Sequence, residues 1–396
     1  MQIRPKLSFS ECDKPWRKVR VEKIFTLARG YILPVKDISA KASADNPYPV
    51  YSSQVKKNGI VGYYHQYLFA DAITWTTDGN AGKVSYRAGK FYCTNVCGVL
   101  LSDQGYSCEV VAQALNLQTR RYINQASIPK LMNHTMRQIE FYLPTDKREL
   151  QLLDRFYQGI EQELQALTQL TKHYQKLKQV LLDKLCPAYQ VVKAHAEQIA
   201  KNKSDIYICL KNQDLSILRF RDFSQSWQVA DLQSIAKIAN GLSNQQDASA
   251  QGEYPLYVRS ANILRSEKYL YDEEVILVPG DGKVGEIYHY YHGKYDCHQR
   301  VYRIFNFVPQ VTGMYLYYYF QSKFKQHAMQ HTVKHTVDSL RIATFENFKV
   351  AYSSLEEQQR IVDLFAKVDE LIAEANSLLA HYHRFKGKLN QLLLVS

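Results

Sequence analysis

The sequence predicts an α+β protein built twice over: a globular α/β unit and a long helix, then the same pair again, related by a pseudo-two-fold tandem repeat. Three observations lead there. "WRKVRVEKIFTLARG" (Trp16 to Gly30) aligns without a gap on "WQVADLQSIAKIANG" (Trp227 to Gly241) at an offset of 211. "YPVYSSQ" at 48–54 returns as "YPLYVRS" at 254–260. "HYQKLKQVLLDKL" (His173 to Leu185) returns as "HYHRFKGKLNQLL" (His381 to Leu393). Matches that keep their order over most of a chain mark an internal duplication.

The first unit spans 1–143. Its "AITWTTDGNAGKVSYRAGKFYCTNV" has two strand-like runs around Asp78-Gly79, which reads as a hairpin. A helix follows over 144–186, where Thr145 or Asp146 can cap and Glu149 lies in the first turn. Apolar residues then recur at steps of three and four, with Leu164, Leu167, Tyr174, Leu177 and Leu181 expected in a coiled-coil core. Residues 187–222 have no counterpart and read as the linker into the second unit, 223–352, whose hairpin signal is Asp281-Gly282. The final helix, 353–396, opens on "SSLEEQQ", a capping-box-like start, and carries Phe365, Val368, Leu371, Tyr382, Phe385 and Leu389 as its core stripe.

At 396 residues, 46% hydrophobic and 22% charged, the composition is that of an ordinary globular protein. "MQIRPKLSFSECDKPWRK" holds no apolar stretch for a signal peptide, and no run approaches the length of a membrane span. Seven scattered cysteines suit a reduced compartment, so a cytoplasmic protein is expected. Lys plus Arg exceed Asp plus Glu by 12, which favours a polyanionic partner, nucleic acid first.

The blocks "PYPVYSSQVKKNGIVGY", "ITWTTDGNAGKVSYRAGKFYCTNVCGVL", "LRFRDFSQSW", "YPLYVRSANILRSEKYLYDEEVILVPGDGKVG" and "LEEQQRIVDLFAKVDELI" together resemble the specificity (S) subunit of type I restriction–modification systems, across essentially the whole chain. That resemblance implies two target-recognition domains, each reading one half of a split sequence in double-stranded DNA. It implies that the two helices form an antiparallel coiled coil, which sets the spacing and docks two methyltransferase (M) subunits. Restriction (R) subunits complete the complex, and S-adenosylmethionine, ATP and magnesium belong to the partner subunits. The chain itself is expected to be non-catalytic. Two helices of about 40 residues, each about 60 Å long, bound the span at roughly 18 base pairs. Because the units diverge between their shared blocks, the half-sites should differ.

Other chemistry fails on its spacing. "GNAGKVS" has two residues between its glycines where a phosphate-cradling loop needs four. "NPYP" has the letters of an adenine-methylase motif in the wrong order, and no Glu-x-Lys nuclease motif occurs, which counts against a methyltransferase or nuclease fragment. A coiled-coil nucleic-acid-binding scaffold is the remaining rival, favoured if single-stranded RNA were preferred. His327, His331 and His335 share a helical face, and Cys93 and Cys97 lie close in sequence, but neither set has the partners that complete a metal site. Lys83, Arg87, Lys90, Lys283 and Lys294 are candidates for phosphate contacts, and Asn95, His298, Gln299 and Arg300 for base edges. Residues common to two units that read different sequences favour scaffold over readout, so base readout is expected where the copies differ: 54–70, 102–138, 259–274 and 308–340.

Overall fold

The computed structural model describes residues 3–54, 56–124, 128–193, 218–331 and 339–395. The chain divides into two compact units, one of residues 1–169 with 377–396 and the other of residues 170–376. Each unit therefore owns one globular part and a stretch of both long helices.

In the first unit β1 (Trp16–Arg20) pairs antiparallel with β8 (Glu140–Pro144). The remaining strands are β2 (Thr26–Arg29), β3 (Tyr48–Tyr51), β4 (Ile60–Tyr64), β5 (Phe69–Thr76), β6 (Val84–Cys93) and β7 (Cys97–Leu101). They form a six-stranded sheet in the order β2-β7-β5-β6-β3-β4. In the second unit β9 (Gln228–Asp231) pairs with β16 (Lys349–Tyr352). Its sheet takes β10 (Lys237–Asn240), β11 (Tyr254–Tyr257), β12 (Leu264–Ser266), β13 (Tyr271–Pro279), β14 (His289–Cys297) and β15 (Val301–Phe305) in the order β10-β15-β13-β14-β11-β12. The two orders are the same when read by repeat. Both sheets are antiparallel except at one junction, β3 with β6 and β11 with β14, which run parallel. The β5–β6 and β13–β14 pairs carry Asp78-Gly79 and Asp281-Gly282 in their connections, as the turn chemistry predicts.

Each sheet covers its apolar face with short helices. The first core gathers Trp75, Phe141, Val111, Leu115 and Tyr157, all fully or almost fully buried. The second is dense in aromatics: Tyr315, Tyr319, Phe320, Phe324, Phe345 and Phe365. At about 1.5–3 kcal/mol per large side chain removed from water, such clusters outweigh any surface interaction in either unit.

The long helices run over Lys147–Leu185 and Leu355–Leu393, 39 residues each at an offset of 208. Asp146 caps the first, its Oδ1 accepting from the Arg148 N–H at 2.8 Å. Ser354 begins the second, its Oγ accepting from the Glu357 N–H at 3.4 Å. The capping box does not close, because Glu357 is occupied elsewhere: Arg219 donates to both its carboxylate oxygens, at 3.0 and 2.6 Å. Glu149, at the matching place in the first helix, takes the indole N–H of Trp16 at 3.2 Å. The far ends match as well, with Leu7 N–H bonded to Leu392 O and Leu218 N–H bonded to Lys184 O.

Two ion pairs fix the helix direction. In the first unit Lys386 pairs with Glu161, and in the second Lys178 pairs with Asp369 at 2.6 Å. Residue numbers rise along one helix as they fall along the other, so the helices are antiparallel. The offset of 208 carries Glu161 onto Asp369 and Lys178 onto Lys386, so the pairs are copies of each other.

The expected stripe needs correction at two positions. Leu164, Phe365, Val368 and Leu389 are buried, and Leu167, Tyr174, Leu181, Leu371 and Tyr382 are half-buried. Leu177 and Phe385 are instead 47% and 44% exposed, and they too are copies under the offset. One row of the stripe stays covered, Tyr174 with Leu181 and Tyr382 with Leu389, while the other row, which holds Leu170 and Leu177, Leu378 and Phe385, faces out. Among the described residues, no helix is long and apolar enough to cross a membrane.

Candidate nucleic-acid interface

In each unit three loops gather around the Asp-Gly turn. In the first, Gly30 lets the chain leaving β2 pass against the end of β6: a Cβ there would lie 2.1 Å from Cys93 O, which no other residue tolerates. Tyr31 N–H then bonds Cys93 O at 3.2 Å. Arg29 donates from Nε to Asn95 O at 2.6 Å and lies 4.0 Å from the Asp78 carboxylate. Asn80 reaches Ser53 O at 3.1 Å, bringing in the loop after β3.

The second unit repeats the plan with different side chains. Gly241 makes the same close approach, 2.2 Å from Cys297 O to its would-be Cβ. Asp281 Oδ2 accepts from Arg259 at 3.2 Å and from Arg300 at 3.0 Å, so one carboxylate orients two guanidinium groups. Gln299 donates to Asn244 Oδ1 at 2.7 Å. His298 Nδ1 accepts the Arg300 N–H at 3.0 Å, which requires the neutral ring. Burial and the neighbouring Arg259 and Arg300 hold its pKa below the ordinary histidine value, consistent with that tautomer.

The nine candidates separate into three groups. Asn95, Lys283, His298, Gln299 and Arg300 lie at this loop cluster. His298 is buried and supports the Arg300 backbone, so it is not free to reach a base. Lys90 and Lys294 are exposed elsewhere, each 4.6 Å from a tyrosine ring, Tyr67 and Tyr269 respectively. Tyr48 packs on Tyr67 and Tyr254 on Tyr269 at 5.1 and 4.9 Å, so this stack is a shared feature of the two units. Lys83 and Arg87 face a polar cleft of about 720 Å³ in the first unit, lined also by Glu109, Glu161 and Lys386. Arg87 is buried, donates to Thr74 Oγ1 at 3.0 Å and lies 3.9 Å over the Tyr51 ring, which makes it scaffold. Burial also lowers the pKa of Lys83, with Arg87 and Lys386 adding to the effect.

The divergent segments are only partly surface. The helices Glu109–Thr119 and Gly313–Tyr319 supply core residues such as Val111, Leu115, Tyr315 and Tyr319, so much of 102–138 and 308–340 differs because each unit packs its own interior. Arg259 does fall in a segment expected to read bases. Arg29 and the loop 31–35 were missed, although "YILPV" against "LSNQQ" directly after the shared glycines is a divergence of the informative kind. His327 bonds Thr344 O at 2.8 Å, while the His331 side chain and His335 lie outside the described residues. Among the described residues no three His, Cys, Asp or Glu side chains are grouped to hold a metal.

Residues 13–172 and 224–380 each match the family model described as type I restriction modification DNA specificity domain. A putative type I specificity subunit N-terminus from Mycoplasma pneumoniae is 38% identical over 135 residues, covering 32% of this chain and 69% of that protein. A second putative type I specificity subunit from the same organism is 30% identical over 178 residues, covering 41% of this chain and 56% of the relative. The crystal structure of a type I restriction-modification S subunit from M. genitalium superposes with a TM-score of 0.64 over the full length of both chains, at 15% identity, a likeness of fold.

Proposed function

Because the chain belongs to the type I restriction–modification DNA specificity family, with two copies of its domain, we propose that it is the DNA-addressing subunit of such a complex. Each unit reads one half of an asymmetric, bipartite duplex target. The antiparallel helices hold the two readings at a fixed separation and dock two methyltransferase subunits, to which restriction subunits add. The chain supplies address and scaffold and no reacting group. S-adenosylmethionine, ATP and magnesium act in the partner subunits.

The observation that carries this reading is the duplication itself: two sheets of one strand order, with two 39-residue helices paired antiparallel. Duplex DNA has the same local two-fold symmetry in its backbone, so a protein repeated about a two-fold axis meets it with two equivalent surfaces. Different side chains on a shared frame then give two different half-sites. The surplus of 12 positive charges favours the phosphate backbone.

Exchange of residues 1–143 for those of a relative tests it. With a type I methyltransferase subunit present, the methylated motif should change in one half and keep the other half and the spacer. Changes in both halves would contradict modular reading.

A further inference from the structure

The most exposed large apolar side chains among the described residues are Val35, Ile32, Leu242 and Tyr31, at 85%, 77%, 73% and 65%. All four lie in the loops that leave Gly30 and Gly241, the same place in the two repeats. Solvent-exposed apolar side chains scattered singly are ordinary. Here they are gathered at one end of each unit, beside arginines that a turn aspartate holds in position.

We propose that these two loops are the specificity-determining tips of the units, seating Tyr31, Ile32 and Val35 on the bases of one half-site and Leu242 on those of the other. The inference rests on the DNA-addressing function above. Their apolar ligands are base edges, the thymine methyl group above all, which is the apolar feature a major groove offers. The surroundings suit DNA. Arg29, Lys36 and Lys41 flank the first tip in sequence, while Arg259, Arg300 and Lys283 surround the second. Asp281 is 13% exposed while Arg300 is 64% exposed, so the carboxylate is sheltered and the guanidinium it orients is presented outward. An arginine held in that way suits bidentate pairing to guanine.

The repeats also differ in the way that reading two sequences demands. The aspartate and the glycine are common to both, but the arginines are not: one comes from the end of β2 in the first unit, and two come from the loops after β11 and β14 in the second. The frame is duplicated and the contacts have diverged.

The test maps N6-methyladenine in cells that carry the chain with its methyltransferase subunit. Ile32→Ser, Leu242→Ser and Arg300→Gln are compared with Val229→Ser, an exposed apolar position on β9 away from the tips. Ile32→Ser should relax one half-site, and Leu242→Ser and Arg300→Gln the other, each by roughly tenfold in discrimination at one or two positions. Val229→Ser should leave the motif unchanged. Tip variants that keep the wild-type motif overturn the inference, as does Val229→Ser shifting it equally. Tip variants that no longer co-purify with the methyltransferase also overturn it, because the tips would then be protein contacts. A wild-type chain that directs no bipartite motif overturns the addressing function itself.

Discussion

Glu357 is 1% exposed, and its charge is met by Arg219, a residue just ahead of the second repeat's first strand. Removing the arginine strands a buried carboxylate, a loss that runs to about 3 kcal/mol. Arg219→Ala should therefore lower the urea midpoint clearly, while Arg221→Ala, an exposed position with no buried carboxylate paired to it among the described residues, should leave it unchanged. Glu109 tests the opposite balance. Burial raises its carboxyl above the ordinary range, and the hydrogen bond from Gln113 at 2.6 Å opposes that only in part. The folded chain keeps this proton at a pH where the unfolded chain has released it. Its contribution to stability is thus greatest in acid and is lost as pH rises from about 4.3 through the raised folded value. Glu109→Gln should remove that slope and stabilise the protein at pH 7, measured by urea unfolding from pH 4 to 8. Shared letters in the two repeats led to Arg87 and His298 as well as to Gln299 and Arg300. Sequence alone cannot separate a buried arginine stacked on Tyr51 from an exposed one held by Asp281, since both stand in turn-rich, basic surroundings.

At the scale of elements, the two long helices were the most legible part of the chain. Their caps, lengths and apolar steps are local, and local signals survive in sequence. Which residues face inward was less so, because an apolar stripe two rows wide does not say which row is covered, and Leu177 and Phe385 stand in the row left exposed. Phe365→Ala should cost about 3–5 kcal/mol through the cavity it leaves. Leu177→Asp, by contrast, should cost less than about 1 kcal/mol, since that side chain is already half in water. Equal losses at the two positions would restore the original stripe. The hairpins were readable from Asp-Gly, but the parallel junctions of β3 with β6 and β11 with β14 were not. A parallel pair joins strands distant in sequence and leaves no turn signal.

At the scale of the whole molecule, duplication is what the sequence states most plainly, through blocks that return at offsets of 211 and 206. The helix pair copies this arithmetic in its ion pairs, Glu161 with Lys386 and Asp369 with Lys178. If the helices act as a ruler, a heptad inserted into each should add about 10 Å, or roughly three base pairs, to the spacer of the methylated motif. An unchanged spacer would reject the ruler while leaving the two readings intact. The most direct measurement is the map of N6-methyladenine in cells that hold the methyltransferase subunit with this chain, beside cells that hold the methyltransferase alone. One asymmetric bipartite motif, methylated only when the chain is present, is the expected result. Identical maps, obtained with a methyltransferase that co-purifies with the chain, would contradict its role as the DNA address.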